Sequence, residues 1–373
     1  MEQRPLVVPR AEEGRFDDLL SVADVERLVC SGGLRFPAFR LAKAGARLEV
    51  SSYTKDVSWR PTPFTGMADV ERVLAEFEDG ATIVLQGLHL IWQPLAEFCR
   101  SLEAELGHPA QANAYFTPRS AQGLPVHHDT HDVFSLQVAG EKRWLVYEPA
   151  WELPLKNQRY KAETMGEPDA PVHDVTLRPG DTLYLPRGWL HEAKTSETDS
   201  LHITVGINVY TWIDAFRAAV EACAADVGFR RTPEGEEADD LLERLGEQLQ
   251  PERVERRRRR KLVRSRRAVL GGQLSQLRAL EDLDLDTEVE RRPTVLFDLA
   301  GSTLSFEGKD LAFPEEIAEE LAFAAEADEP FTPGDLPGDL DDEGRLVLVG
   351  RLVLEGFLLI SAAARETGAG AER

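Results

Sequence analysis

The sequence predicts a mainly β protein with α-helical appendages. Between about Gln111 and Tyr210, short apolar runs alternate with turns that contain Gly and Pro, which is typical of a sandwich or barrel. After Thr211 the pattern becomes helical, and the last hundred residues mix helices with strands. Because 42% of the 373 residues are hydrophobic, the chain can bury a core and global disorder is excluded. This length favours two or three domains.

The first half of the chain contains the predicted β core. Before it, helices are predicted over Met67–Phe77 and Pro94–Leu106, with a buried strand over Ala81–Leu88 between them. The strands predicted for the core are Ala112–Phe116, Val133–Val138, Arg143–Tyr147, Asp174–Leu177, Thr182–Leu185 and Leu201–Val209.

The second half begins with a helix whose apolar residues recur at helical spacing. Ile213, Phe216, Val220 and Cys223 share one face of it. The heavily charged residues 230–270 continue the helical pattern. In the tail, the sequence predicts a hairpin of Thr303–Phe306 and Leu311–Phe313, followed by a helix over Pro314–Ala327. After a linker over 328–342, it predicts a helix that ends near Gly356 and a strand over Phe357–Ile360.

The charge of the chain is strongly asymmetric. There are 43 Lys and Arg residues against 66 Asp and Glu, which gives a net charge of −23. The window 252–267 carries +8, and the remainder therefore carries −31. Such an acidic body repels nucleic acid and attracts cationic partners. The basic run Arg256–Lys261 is flanked by acids, so we interpret it as a solvated helix face that pairs with acids of this chain or of a dimer partner.

Several classes of protein are disfavoured by simpler features. Cys30, Cys99 and Cys223 are far apart and form no CxxC pair, so neither a disulfide framework nor a zinc knuckle is expected. The N-terminus lacks the apolar run of a signal peptide. The most apolar stretch, Leu346–Ala364, is interrupted by charges, which argues against a membrane span. We therefore expect a soluble cytoplasmic protein.

A candidate metal site lies in the segment GLPVHHDTHD, residues 123–132. His127 and Asp129 form an HxD pair at the entry of a β run, and residues two apart on a strand point to the same side. His191, after the turn Pro186–Gly188, is the best candidate for a third ligand. Two imidazoles and one carboxylate suit Fe(II) with open positions, although zinc also uses this set.

The other histidines are weaker candidates. His128 and His131 crowd the same segment, so spacing alone leaves open which imidazole binds. His202 lies in an apolar strand and is interpreted as a structural or supporting group. His89, His108 and His173 are expected to form hydrogen bonds at surfaces or in loops.

Four stretches in order resemble the JmjC-type 2-oxoglutarate oxygenases, specifically the ribosomal oxygenase branch. They are NAYFTPRSAQGLPVHHD (113–129), DVFSLQVAGEKRW (132–144), LRPGDTLYLPRGWLHEA (177–193) and SLHITVGI (200–207). The resemblance implies a double-stranded β-helix (jelly-roll or cupin) core within a catalytic domain of residues 1–210. It also implies a helical dimerisation region over 211–270 and a winged-helix-like domain over 271–373.

The resemblance also implies roles for individual residues. His127, Asp129 and His191 match the iron triad, and Lys142 matches the basic residue that receives the distal carboxylate of 2-oxoglutarate. A carboxylate in a dry barrel needs such a cation, which fits this match. Asn113, Tyr115 and Thr204 match polar positions that line the same pocket. His128 and His131 depart from the pattern of the family, which leaves the target residue open.

The leading hypothesis is therefore an Fe(II)- and 2-oxoglutarate-dependent dioxygenase, with O2 as a further cosubstrate, that hydroxylates Arg or His of a ribosomal protein. The acidic body suits a basic protein substrate, and the acidic tail, residues 315–343, argues against direct DNA binding. A homodimer without membrane contact is expected. Two alternatives stay open: the same chemistry on a biosynthetic peptide or small molecule, and a catalytically silent cupin-like dimer that serves as a binding scaffold.

Overall fold

The computed structural model describes residues 2–31, 33–43, 45–122, 124–195, 197–233 and 238–361. Its contacts divide the chain into two compact units. Unit 1 comprises Met1–Leu102 and Ala110–Val209, and unit 2 comprises Glu103–Pro109 and Tyr210–Arg373. A further division of unit 2 near residue 270 stays a prediction.

Unit 1 contains the β-rich part of the chain. Its strands are β1 (Leu6–Val8), β2 (Phe39–Lys43), β3 (Ala46–Arg47), β4 (Thr54–Val57), β5 (Phe64–Ala68), β6 (Thr82–Leu85), β7 (Ala110–Thr117), β8 (Asp132–Ala139), β9 (Lys142–Tyr147), β10 (His173–Leu177), β11 (Thr182–Leu185), β12 (Leu190–Thr195) and β13 (Ser200–Ile207). Its helices are α1 (Val22–Cys30), α2 (Val50–Tyr53), α3 (Val70–Glu78), α4 (Gln93–Leu106, which ends in unit 2) and α5 (Ala162–Met165).

Two antiparallel sheets of unit 1 enclose its core. The larger sheet has the order β1-β11-β8-β13-β7-β6-β2-β3, and the smaller has the order β10-β9-β12. Val133 and Leu183 from the larger sheet pack with Trp144, Val146 and Leu177 from the smaller one. Strands that bury alternate side chains between two sheets form a sandwich of the kind the sequence predicts. A separate hairpin pairs β4 with β5.

Each strand predicted for the β core is present, with ends shifted by a few residues. The predictions did not include β1, β2 or β12. β1 is only three residues long, and it is held by pairing with β11, more than 170 residues away in the chain. β12 has the sequence LHEAKT, which lacks the apolar alternation by which half-buried strands are recognised.

Unit 2 combines helices with short strands. The helices are α6 (Trp212–Cys223), α7 (Ala238–Glu247), α8 (Pro251–Ser265), α9 (Gln273–Ala279), α10 (Ala318–Glu326) and α11 (Asp342–Leu354). The strands are β14 (Val289–Arg291), β15 (Phe297–Ala300), β16 (Thr303–Phe306), β17 (Lys309–Ala312) and β18 (Leu358–Ile360). β15, β16 and β17 form one sheet, and β14 pairs with β18 in another. The core of the unit includes Phe306, Leu321, Val349 and Phe357.

The first helix of unit 2 differs from its expected packing. Thr211 caps α6 through a capping box with Asp214, as the sequence of its first turn favours. The buried face is formed by Ala215, Ala219 and Cys223. The larger apolar residues of the helix stay exposed within the chain: Trp212, Ile213, Phe216 and Val220.

The basic run lies on α8 and makes many contacts inside unit 2. Lys261 pairs with Asp214 at 3.4 Å, Arg258 with Glu255 at 2.8 Å, and Arg264 with Asp310 at 2.9 Å. Arg259 donates to the carbonyl oxygen of Phe297. These contacts agree with the interpretation of the run as a helix face that pairs with acids.

Two further observations bear on the expectations from composition. None of Cys30, Cys99 and Cys223 forms a disulfide bond. Within the described ranges, the helices are too short or too polar to traverse a lipid bilayer.

Candidate metal centre

His127 and His191 are held side by side by the backbone. They form an isolated antiparallel bridge in which the His127 amide donates to the His191 carbonyl at 3.1 Å and the His191 amide donates back at 2.8 Å. The two imidazole rings lie 4.4 Å apart between centroids. Because His191 is the second residue of β12, the strand that the sequence did not predict brings the third candidate ligand to the HxD pair.

Asp129 completes a cluster that could hold a metal ion. One ligand atom from each of His127, Asp129 and His191 lies within 4.8 Å of the others. Nδ1 of His127 is 2.8 Å from the Pro125 carbonyl oxygen, and Nδ1 of His191 is 3.0 Å from that of Trp189. A carbonyl can only accept, so each Nδ1 carries the proton and each Nε2 offers a lone pair.

The electrostatics of the cluster favour a cation. Burial and the neighbouring His127 lower the pKa of His191 to about 4, which keeps its imidazole neutral. Burial acts to raise the pKa of Asp129, but His191, His131 and His127 outweigh it, so the pKa of Asp129 is lowered. A neutral imidazole and an ionised carboxylate are the protonation states that bind a divalent metal.

The turn before β12 is fixed to the metal-binding segment. The Gly188 amide donates to the Asp129 carbonyl at 3.0 Å. One carboxylate oxygen of buried Asp132 accepts from the Arg187 amide at 3.1 Å, and the other accepts from the Tyr184 hydroxyl at 2.6 Å. These bonds connect the start of β8 to the turn that leads into His191.

The cluster lies at a cavity of about 190 Å³ inside unit 1. All seven residues singled out in the sequence line this cavity: His127, Asp129, His191, Lys142, Asn113, Tyr115 and Thr204. Their convergence is an observation of the structure, whereas their roles stay predictions.

Lys142 places a cation inside the cavity. It is 4% exposed, and its ammonium group donates to the Thr117 hydroxyl at 2.9 Å. Thr82 lies behind Thr117, with their hydroxyl oxygens 3.1 Å apart. Burial lowers the pKa of Lys142 to about 7. An ammonium group that has lost its water shell gains most from an anionic ligand.

The neutral polar residues of the cavity are also held in place. Asn113 accepts from the Gly87 amide through its side-chain oxygen at 2.9 Å. Burial raises the pKa of Tyr115 although Thr204 forms a hydrogen bond with it, so the phenol keeps its proton. Thr204 lies directly opposite Asn113 in the register of β13 and β7, so the two side chains are neighbours on one face of the sheet.

His128 and His131, which left the ligand set open, take different positions. The His128 side chain is buried, with Nε2 3.0 Å from the Gln158 carbonyl oxygen. It contacts the segment after β9 and is not among the residues that line the cavity. His131 does line the cavity, with Nε2 3.2 Å from the Gln111 side-chain nitrogen. Neither belongs to the three-residue cluster.

The sequence reasoning missed several cavity residues. Thr117, Trp144 and His202 line the cavity beside the predicted ones. The signal was present, because Thr117 is two residues from Tyr115, Trp144 is two from Lys142, and His202 is two from Thr204. On strands, such neighbours share a face.

Comparisons with known proteins show which proteins the chain is similar to. Residues 89–215 match the JmjC domain family. The chain is 32% identical over 205 residues to the bifunctional lysine-specific demethylase and histidyl-hydroxylase NO66 of Drosophila persimilis, covering 55% of this chain and 28% of that protein. It is 34% identical over 206 residues to ribosomal oxygenase 1 of Gallus gallus, covering 55% and 33%. The chain thus spans about a third of the length of these curated relatives.

A solved structure matches nearly the whole chain. The ribosomal oxygenase YcfD of Escherichia coli superimposes with a TM-score of 0.55 at 20% identity, covering 96% of this chain and 95% of that one. A second structure of YcfD, in complex with cobalt and 2-oxoglutarate, matches with the same TM-score at 18% identity. The predicted fold class, mainly β with helices around a JmjC or cupin core, is confirmed, whereas the winged helix stays a prediction.

Proposed function

We propose that this protein, whose residues 89–215 match the JmjC domain family, is an Fe(II)- and 2-oxoglutarate-dependent oxygenase that hydroxylates an arginine or histidine of a ribosomal protein. The observation that carries the proposal is the convergence of His127, Asp129 and His191 at the cavity that contains the buried ammonium group of Lys142. The relatives named above as oxygenases and hydroxylases support the reaction class.

The donor set fits ferrous iron. His127 and His191 would bind through Nε2, and Asp129 through a carboxylate oxygen, which leaves coordination positions open for other ligands. When bound, iron with 2-oxoglutarate and O2 supplies the oxidative chemistry: the cosubstrate is decarboxylated to succinate and a C–H bond is hydroxylated. The chain holds these groups and keeps water out.

The cavity residues fit a dicarboxylate cosubstrate. Lys142 would form a charge-assisted hydrogen bond with the carboxylate distal to the metal. Thr117 already accepts from Lys142 and so orients the ammonium group. Asn113, Tyr115 and Thr204 would contribute neutral donors to the cosubstrate and the substrate.

A basic ribosomal protein segment is the proposed substrate. The charge of −31 outside the basic window would attract such a segment. We further propose that residues 211–270 form a homodimer interface, that 271–373 form a winged-helix-like module for protein contact rather than DNA binding, and that the protein acts in the cytoplasm.

One experiment separates the leading proposal from its alternatives. Protein loaded with Fe(II) is incubated with 2-oxoglutarate and ribosomes, and succinate and the masses of ribosomal peptides are measured. We expect succinate together with the addition of one oxygen atom to one peptide. Succinate without such a mass shift would show an oxygenase that decarboxylates the cosubstrate without modifying the ribosome, which would favour a biosynthetic peptide or small molecule as the target. No succinate with any substrate would indicate a silent scaffold.

A matched pair of variants tests the metal assignment. Asp129→Asn keeps the shape of the side chain but removes the anionic ligand, so iron affinity and succinate formation should both fall at least tenfold. Asp174→Asn serves as the control, because Asp174 is an exposed carboxylate on β10 that pairs with Arg143. Succinate formation that survives Asp129→Asn would overturn the assignment.

A further inference from the structure

His202 is a buried imidazole in the cavity whose polar capacity is not used by the protein. It is 3% exposed, lies on β13 and lines the cavity with Lys142. Its Nδ1 is enclosed and has no hydrogen-bond partner among the described residues. Leaving a buried donor without a partner costs roughly 1–3 kcal/mol, so this Nδ1 is poorly placed to carry the proton of the ring.

The orientation of the ring is fixed by its aromatic neighbours. His202 stacks on Tyr115 with centroids 5.0 Å apart and planes 6° apart. Trp144 approaches its edge at 5.5 Å and 82°. Since Tyr115 is the cross-strand partner of His202, both rings are set by the register of β7 and β13. These contacts fix the plane of the imidazole against Tyr115.

The protonation state of His202 follows from its surroundings. Burial, with the nearby Lys142, holds the pKa of His202 well below its usual value, so the ring is neutral. A neutral imidazole has one donor nitrogen and one acceptor nitrogen. An orphaned buried acceptor is tolerated better than an orphaned N–H, which makes the enclosed Nδ1 the bare nitrogen. Nε2 then carries the proton and is the nitrogen left to meet the contents of the cavity.

We propose that His202 is a specificity-determining residue that donates from Nε2 to the distal carboxylate of the cosubstrate beside the ammonium group of Lys142. This inference rests on the proposed function and adds a second donor to the acidic end of the ligand. A neutral donor beside the lysine binds the carboxylate without a second positive charge in a low-dielectric cavity, where two cations would repel each other.

Three variants and two ligands test the inference. Phenylalanine in His202→Phe keeps a flat ring against Tyr115 but has no donor. The amide nitrogen in His202→Gln reaches the place of Nε2, whereas that in His202→Asn reaches the place of Nδ1. The ligands are 2-oxoglutarate and 2-oxopentanoate, which has a methyl group in place of the distal carboxylate. Affinities are measured by anaerobic calorimetry with Fe(II)-loaded protein.

We expect 2-oxoglutarate to bind about tenfold or more weakly to the Phe and Asn variants, because a hydrogen bond to a charged group is lost. The Gln variant should recover most of this affinity, and 2-oxopentanoate should bind all four proteins within about twofold. The inference about His202 would be overturned, with the proposed function intact, by either of two results. One is that His202→Phe binds 2-oxoglutarate as tightly as the unchanged protein, and the other is that it loses affinity for both ligands equally. No binding of 2-oxoglutarate to the unchanged protein would overturn the proposed function with it. Thermal unfolding of each variant shows whether the core is intact, and His202→Gln carries the test if the Phe variant does not fold.

Discussion

At the scale of single residues, Lys142 couples cosubstrate binding to pH. Its ammonium group is buried against the Thr117 hydroxyl, with Tyr115 and His202 as neighbours in the cavity, and its pKa is lowered to about 7. A carboxylate binds the charged form of the lysine much better than the neutral form. Below about pH 7 the lysine is already charged, and above it the proton must be taken up with the ligand.

We therefore predict that 2-oxoglutarate affinity is nearly constant below pH 7 and falls above it, toward tenfold per pH unit. Calorimetry in buffers of different ionisation enthalpy should show uptake of close to one proton at pH 8 and much less at pH 6. Lys142→Arg is the control, because a guanidinium stays charged over this range and should abolish the uptake. A pH-independent affinity in the unchanged protein would contradict the role of Lys142.

The residue scale also shows what the sequence could and could not predict about the site. The HxD pair was visible because a spacing of two in an extended segment is a local property, although both residues lie before β8, with His127 in an isolated bridge. His202 was interpreted as a structural group, because its spacing by two from Thr204 shows that both lie on one face of β13 but not which other residues that face meets. That position depends on the register of β13 with β7 and on the distance to Trp144 from the opposite sheet.

At the scale of elements, the turn between β11 and β12 depends on one glycine. Gly188 has φ +92°, and a Cβ there would overlap the Trp151 carbonyl oxygen and approach Pro154 Cδ to 2.7 Å. The same residue donates its amide to Asp129. Any side chain at this position should therefore move either the segment after β9 or the metal-binding turn.

We predict that Gly188→Ala lowers both the unfolding midpoint and the iron affinity. Gly80→Ala is a matched control, because Gly80 has φ +93° but nothing within 4 Å of an added Cβ. In both variants a side chain at positive φ costs about 1–2 kcal/mol of stability. Only Gly188→Ala adds the overlap of the new Cβ with Trp151 and Pro154. Each further kcal/mol should lower the midpoint by roughly 2–4 °C, measured by calorimetry. Equal midpoints and equal iron affinities in the two variants would show that the close approach is tolerated.

Helix α6 shows a second limit of sequence-based reasoning. Its apolar periodicity was correctly recognised, but the packed face uses Ala215, Ala219 and Cys223. Trp212 is 68% exposed, Phe216 48% and Val220 55%. Helical spacing predicts that an apolar face exists, but not whether it packs within the chain or against another chain.

We predict that this exposed face takes part in the proposed dimer. Phe216→Glu should convert a dimer to a monomer, because it places a charge in an apolar contact. Arg217→Glu is the control at the adjacent exposed position of the same helix. Light scattering coupled to gel filtration reports the molar mass. A monomeric unchanged protein, or a dimer that tolerates Phe216→Glu, would exclude this face as the interface.

At the scale of the whole molecule, the strand pattern predicts the fold, whereas the net charge predicts the kind of partner. The alternation of strands was enough to predict the β core, and the shift in texture after Thr211 lies next to the boundary of unit 1 at Val209. The pairing of β1 with β11 was not predictable, because it joins segments far apart in sequence. Net charge contains no information about fold, but it does constrain which partners the molecule attracts.

The charge leads to a prediction about the substrate. The whole chain carries a net charge of −23, and its residues outside the window 252–267 carry −31. Long-range attraction should therefore raise the encounter rate with a basic peptide. We predict that kcat/KM for such a peptide falls about tenfold or more between roughly 0.05 and 0.5 M salt, where the screening length shrinks from above 10 Å to a few Å.

The control is a peptide with the same target residue in which the flanking Lys and Arg are replaced by Gln. Its kcat/KM should be lower at low salt and nearly independent of salt, whereas kcat should be similar for both peptides, because the chemistry at His127, Asp129 and His191 is unchanged. Succinate release and hydroxylated peptide are measured together, which separates coupled turnover from decarboxylation without substrate. If both peptides show the same salt dependence, the acidic body does not select the substrate, and recognition must depend on short-range contacts at the cavity.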